Sequence, residues 1–236
     1  MTVENPGPRV IVALDYADSG AALELVSGLD SNMCRLKVGK EMFTRFGPSF
    51  VEKLVTKGFD VFLDLKFHDI PNTVAAACAA VADLGVWMTN VHAAGGRKMM
   101  TTAKDRLQQM QHPPLLVAVT ILTSLGQQDI EEVGYPGTPA ENVIRLARLA
   151  DASGMDGIVC SPLEATEVRP LVREDFCLVT PGVRPASSGQ DDQTRVMTPK
   201  DALSAGSDYL VIGRPITQAD DPMQALRDIQ AEIASV

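Results

Sequence analysis

Short apolar runs alternate along this chain with longer stretches of helical spacing, and the alternation persists almost from end to end. Residues 9–15 (RVIVALD) form an apolar run ending in an acid, followed by a helical segment at 19–29 with Asp18 or Ser19 as its cap. A second run at 33–39 (MCRLKVG) precedes helical periodicity at 50–57, closed by Gly58. The third run begins at Val61 and passes into Asp64, Lys66 and Asp69. Pro71 then suits the first position of an alanine-rich helix over 73–85. Further strands are predicted at 86–92, 114–122, 157–161, 176–180 and 209–213. Helices are predicted at 98–110, 141–152, from near 163, and at 223–233, with a longer insertion after the fifth strand.

Eight strand–helix units occupy this length, and the strands are apolar almost throughout, as a parallel sheet covered by helices requires. A (β/α)8 TIM barrel is the economical α/β architecture. An open doubly wound sheet would place a glycine fingerprint after the first strand, where Asp15, Tyr16 and Ala17 stand instead. No linker or low-complexity segment divides the chain, so residues 1–236 are expected to form one domain, with residues 1–8 as a flexible tail.

Composition narrows the partners more than the fold. A formal charge of −9 disfavours nucleic acid and anionic membrane as bulk partners. An anionic small substrate would therefore need a locally positive site. No apolar run approaches a membrane span, and the N-terminal residues lack a secretory pattern. Cys34, Cys78, Cys160 and Cys177 are widely spaced without metal-ligand pairing and read as free thiols of a cytoplasmic protein.

In a barrel, chemistry gathers where strands end and βα loops begin. That rim reads Asp15, Lys37, Asp64 with Lys66, His92, Thr123, Ser161, Arg184, and Gly213 with Arg214. Alternate residues of a strand share a face, so Asp64 and Lys66 are expected to project together. Burying such a pair is costly unless the geometry is good, and sites of chemistry are where it occurs. Strand seven runs into TPGVRP and strand eight into GRPI. Glycines admit backbone N–H groups to an anion there, and Arg184 and Arg214 offer forked donors, which suits a phosphate. The connection at 182–197 reads as either a lid or a disordered segment, and the neighbouring arginine turns favour a lid, whose closure would bring Gln193 to that phosphate. His68 is assigned a structural or solvent role and His112 none. His92 is left between packing and site support.

The DLKFHDIPNTV run, Lys37 on the preceding strand, TPGVRP, the DDQ-R-V-TP run at 191–199 and VIGRPIT closely resemble bacterial orotidine 5′-phosphate decarboxylases across essentially the whole chain. The Asp-x-Lys-x-x-Asp core also occurs in related Mg²⁺-using phosphosugar decarboxylases, which carry an acid where this chain has Lys37. The resemblance implies conversion of orotidine 5′-phosphate to uridine 5′-phosphate and CO2 in UMP biosynthesis, without metal or organic cofactor. It implies that Lys66 protonates C6, that Asp64 stands beside the departing carboxylate, and that Lys37 and Asp15 bind the ribose hydroxyls. Thr123 would contact the pyrimidine edge, and Gln193, Arg184, Gly213 and Arg214 the phosphate region. Asp69 and Thr73 would reach into a partner subunit's site, making a homodimer with shared active sites. Two rivals remain at this point, a Mg²⁺-dependent phosphosugar enzyme and a phosphate-binding barrel without catalysis.

Overall fold

The computed structural model describes residues 7–185 and 197–234. Eight parallel strands close into a barrel in sequence order: β1 (Val10–Leu14), β2 (Arg35–Gly39), β3 (Val61–Phe67), β4 (Met88–His92), β5 (Leu115–Val119), β6 (Gly157–Val159), β7 (Cys177–Pro181) and β8 (Tyr209–Ile212). Pairing of Val10–Val12 with Leu210–Ile212 joins β1 to β8 and leaves no sheet edge. The TIM barrel expected from the alternation is the fold.

Around it lie α1 (Ser19–Ser27), α2 (Lys40–Phe46), α3 (Pro48–Thr56), α4 (Pro71–Ala82), α5 (Gly96–Gln108), α6 (Gln127–Glu132), α7 (Pro139–Asp151), α8 (Pro162–Val168), α9 (Pro199–Ser204), α10 (Arg214–Thr217) and α11 (Pro222–Ile233). Proline occupies the first turn of α3, α4, α7, α8, α9, α10 and α11. Its fixed φ and missing N–H cost nothing there. Helices α3, α7 and α11 accordingly start one or two residues earlier than periodicity alone predicts. Side-chain caps from Asp18, Thr138, Ser161, Thr198 and Asp221 accept the amides left over in the first turn.

Two apolar shells separate helices from sheet. One is built around Leu36, Leu63, Met42 and Leu54, the other around Leu116, Ile158, Met99 and Phe176. A third, smaller cluster fills the barrel itself: Ile11, Ala13, Phe62, Met88, Val117, Val179 and Val211. Outward and inward residues alternate along each strand, so the inward series fixes which side chains emerge at the rim.

The lower end of the barrel is closed by Arg35, whose guanidinium lies 4.1 Å from the Trp87 ring centroid and 5.1 Å from that of Tyr209. Arg35 also donates to Asp60 (3.0 Å) and to the Pro8 carbonyl. Residue 8, assigned to a flexible tail from sequence, is thus tied to the barrel floor.

Candidate active site

Following the inward series upward builds the site. Ile11 and Ala13 lead to Asp15, Arg35 leads to Lys37, and Phe62 leads to Asp64. Each series changes from apolar or floor residue to charge as it leaves the barrel. Lys37 Nζ lies 3.4 Å from Asp15 Oδ1 and 3.8 Å from Asp64 Oδ2, and Lys66 Nζ lies 2.6 Å from Asp64 Oδ1. The result is a row of alternating charges, acid–lysine–acid–lysine, across three adjacent strands. The side chains of Lys37 and Asp64 are only 11% and 12% exposed, whereas Asp15 is open at 69%. Gly39 keeps this row clear, because a Cβ there would sit 3.3 Å from Lys37 Nζ.

Burial pushes the Asp64 carboxyl pKa upward. The ammoniums of Lys37 and Lys66, and hydrogen bonds from Lys66 and Asn90, outweigh burial and hold it below the usual carboxylate value. Asp64 is therefore an anion at neutral pH in a site where an anion is expensive to keep.

Lys66 reaches this row by a different route from the one strand parity predicts. Pairing of β3 with β4 shifts register between Leu63 and Phe67, and Lys66 is the only non-glycine residue with positive φ (54°) among those described. A left-handed backbone at a lysine costs about 1–2 kcal/mol. Asp64 and Lys66 do converge, but through a bulge with a left-handed turn and not through two successive pleats.

Lys66, Asp64, Lys37 and Asp15 line one cleft of about 320 Å³, together with Thr123, Arg184, Gly213 and Arg214. Its middle is apolar, with Phe62, Ile121, Val159 and Val211 under the charged rim. The two arginine turns follow β7 and β8, and β8 pairs with β1, so the Arg214 turn adjoins the Asp15 end of the row within the same cleft. Helix α10 is a single turn, so the dipole expected at its start has little length over which to build. The anion-binding capacity of this side rests on Arg184, Arg214 and glycine backbone. The connection after β7 is pinned at its base by a Val183–Met197 bridge, with the Arg184 N–H donating to the Met197 carbonyl (3.0 Å). Gln193 and the middle of the expected lid, residues 186–196, lie outside the described residues.

Asp69 and Thr73 are not among the residues lining this cleft. Both are exposed, Asp69 accepting from the Ile70 N–H (2.6 Å) and Thr73 lying in the first turn of α4. Ile70 between them is 67% exposed. Ser161 also leaves the rim inventory: it is buried and caps α8, its hydroxyl and Glu164 forming a capping box. His92 stacks at 5.6 Å on His68, beside the cleft and not in its wall. Burial, then the charges of His68, Lys40 and Lys66, lower its pKa to about 4, so it is neutral at physiological pH.

The residue that sequence reasoning missed is Asn90, fully buried on β4. Its Nδ2 donates to Asp64 Oδ1 (2.7 Å), and its Oδ1 accepts the Lys66 backbone N–H (2.7 Å). The available signal was a pair of polar residues, Thr89 and Asn90, inside a strand buried on both faces.

Burial disfavours the thiolate form of all four cysteines, including Cys160 in the cleft lining. Burial drives the pKa of Cys34, Cys78 and Cys177 up to about 12 and raises that of Cys160 as well. Among the described residues no group of three or more His, Cys, Asp or Glu side chains is arranged to hold a metal ion, and no helix is long and apolar enough to cross a membrane.

Fold and rim together describe a (β/α)8-barrel enzyme with an array of acids and lysines at its strand ends. Residues 8–229 match the orotidine 5′-phosphate decarboxylase / HUMPS family, and the chain belongs to that family. It is 58% identical over 228 residues to the orotidine 5′-phosphate decarboxylase of Hydrogenovibrio crunogenus, covering 97% of each chain. It is 60% identical to that of Psychromonas ingrahamii, over 94% of this chain and 95% of the relative. The crystal structure of orotidine 5′-phosphate decarboxylase from Lactobacillus acidophilus superposes with a TM-score of 0.86 at 41% identity, covering 96% of this chain and 99% of that one.

Proposed function

We propose that this chain converts orotidine 5′-phosphate to uridine 5′-phosphate and CO2, the decarboxylation that yields UMP, with Lys66 as proton donor to C6. The observation that carries the reading is the Lys66–Asp64 contact of 2.6 Å, set in a largely buried charge row that shares one cleft with two arginine turns. Phosphate against Arg184 and Arg214 would orient the pyrimidine carboxylate toward Asp64. As the C6–carboxylate bond breaks, its electron pair stays on C6, CO2 departs, and a proton moves from Lys66 Nζ to C6. Lys66 is left neutral and regains its proton from solvent.

Carbanion character at C6 has no good sink within the ring, so the barrier falls mainly through charges already in place around it. A fixed ammonium in a water-poor pocket stabilises that carbon without reorganising. Repulsion between Asp64 and the substrate carboxylate would ease as CO2 forms. Phosphate binding, remote from the reacting carbon, supplies energy that is expressed at the transition state.

The decisive assay follows loss of orotidine 5′-phosphate by ultraviolet absorbance in EDTA. Full activity is expected there, and dependence on added Mg²⁺ would instead support the phosphosugar reading. Lys66→Ala is expected to bind uridine 5′-phosphate yet not turn over substrate. Near-normal turnover would remove Lys66 as the donor.

The homodimer is part of the same proposal. Asp69 and Thr73 are exposed outside their own cleft, with the apolar side chain of Ile70 between them, which supports a role for them across an interface. Mixing Lys66→Ala with Asp69→Ala chains should then restore part of the activity through heterodimers carrying one intact site. No recovery at any mixing ratio would place Asp69 in its own subunit's chemistry.

A further inference from the structure

The row of charges at the rim is held by a residue that touches it from behind. Strand β3 gains residues relative to β4 between Leu63 and Phe67, so the Lys66 N–H no longer faces a ladder carbonyl. Asn90 Oδ1 takes the place of that carbonyl at 2.7 Å. The same amide turns its Nδ2 to Asp64 Oδ1 at 2.7 Å, the oxygen that also receives Lys66 Nζ at 2.6 Å. Backbone N–H, amide, carboxylate and ammonium thereby form one closed circuit around a left-handed lysine.

We propose that Asn90 is a positioning residue that locks Asp64 and the Lys66 backbone into a single unit and so aims the Lys66 ammonium into the cleft. This rests on the reading of Lys66 as the proton donor. An amide is the side chain suited to this place. It presents one acceptor and one donor on a short, planar group, whereas a carboxylate offers acceptors alone and an aliphatic side chain neither. Without the acceptor, the left-handed turn has nothing to offset its strain, and the backbone relaxes toward the extended region. The ammonium then loses its aim, and misplacement by about 1 Å costs on the order of 10²-fold in rate.

The test measures kcat, KM, uridine 5′-phosphate affinity and Tm for Asn90→Ala and Asn90→Asp, with Thr89→Val as the structural control. Thr89 Oγ1 donates to the Leu63 carbonyl (3.0 Å) between the same two strands without touching the cleft. Its replacement is expected to lower Tm and leave kcat within about twofold, because only a buried hydrogen bond is lost. Asn90→Ala is expected to lose about 10²–10³-fold in kcat with nucleotide affinity changed less than about threefold. Asn90→Asp keeps the acceptor for Lys66 but sets a second carboxylate against Asp64. Its deficit should shrink as pH falls from about 8 to about 6, since a neighbouring anion raises the new carboxyl's pKa and protonation restores a donor.

Asn90→Ala with wild-type kcat overturns the proposal, as does loss of kcat and nucleotide binding together in step with Tm. A pH-independent deficit in Asn90→Asp removes the contact to Asp64 from it. Asn90→Ser, too short to reach either partner, carries the same expectations if the alanine variant does not fold. Lys66→Ala run in parallel separates the two readings. If it turns over, the donor assignment has failed; if it is inactive while Asn90→Ala is normal, only the role of Asn90 has.

Discussion

The two ends of this barrel use the same residue types to opposite effect. At the floor, charges are paired with one another and with backbone groups of the fold. Arg35 is held by Asp60, the Pro8 carbonyl and two aromatic faces. Asp156 accepts from Lys104 at 2.5 and 2.6 Å and from the Leu116 N–H at 2.7 Å. Asp208 accepts from Arg169 at 3.1 Å and from the Leu178 N–H at 2.7 Å. The last two acids immediately precede a strand and tie the amide of the adjacent strand's second residue to a cation outside the barrel. At the rim, Lys37 stands 3.4 and 3.8 Å from its acids, and Lys66 holds its acid from a strained backbone. Floor charges spend their interaction energy within the fold, whereas under the proposed function rim charges keep part of theirs for a ligand. This is the division of labour that a (β/α)8 barrel permits, stability below and chemistry above.

Exchange of effects between the two ends would break the comparison. The largest expected change is at the rim: Lys66→Ala should lower kcat by at least about 10⁴-fold, losing the proposed proton donor and a preorganised charge together. Its Tm should shift by only a few degrees, since the backbone contact to Asn90 is kept and Asp64 retains Lys37 and Asn90 as partners when one ion pair is lost. Next is the floor. Arg35→Ala removes two cation–π contacts and a buried donor, and should cost about 2–4 kcal/mol of stability. For a chain of this size that is a fall in Tm of roughly 5–12 °C, with kcat within about twofold of wild type at a temperature where the variant is folded. Calorimetry and steady-state kinetics on the same two preparations decide it. If Arg35→Ala lost activity while keeping its Tm, the floor would belong to the site as well.

This division also governs what could be read from the chain. The strands were legible because their apolar runs are continuous. The charges at their ends were legible because each interrupts such a run. Short helices were not: α2, α6 and α10 have too few residues for periodicity to register, and α2 begins directly after Gly39 without a side-chain cap. The prolines at helix starts displaced predicted boundaries toward later residues. The bulge at Lys66 was hidden because Leu65 and Lys66 continue the strand pattern faultlessly and no glycine marks the left-handed residue. Strand parity nevertheless gave the right neighbours for the wrong reason. Asn90 was missed because a buried polar residue has meaning only through its partners, and these lie on another strand.

A smaller effect sharpens the distinction within the rim itself, between the row of acids and lysines and the arginine turns that share its cleft. Arg184→Ala and Arg214→Ala should each raise KM by about 30- to 100-fold, the value of a lost charge-assisted contact of about 2–3 kcal/mol. A substrate analogue lacking the phosphate should be insensitive to both changes. An equal penalty for the analogue would move the arginines from phosphate binding to support of the cleft wall.

The smallest predicted effect concerns His92, the one rim histidine whose surroundings visibly disfavour its charge. Burial, with Lys40, Lys66 and His68 nearby, lowers its pKa in the folded chain to about 4, against an ordinary value of 6.5. Between these two values the unfolded chain binds a proton that the folded chain refuses. Stability from this group is therefore complete above about pH 6.5 and declines as pH falls toward 4, where the loss levels off. His92→Gln keeps a neutral polar group of similar reach and removes that linkage. Its Tm should fall less than that of wild type between pH 7 and pH 5, by at most the contribution of one proton. Parallel Tm curves for the two proteins across this window would mean that His92 charges freely in the folded state, and that the rim tolerates a further cation beside Lys66.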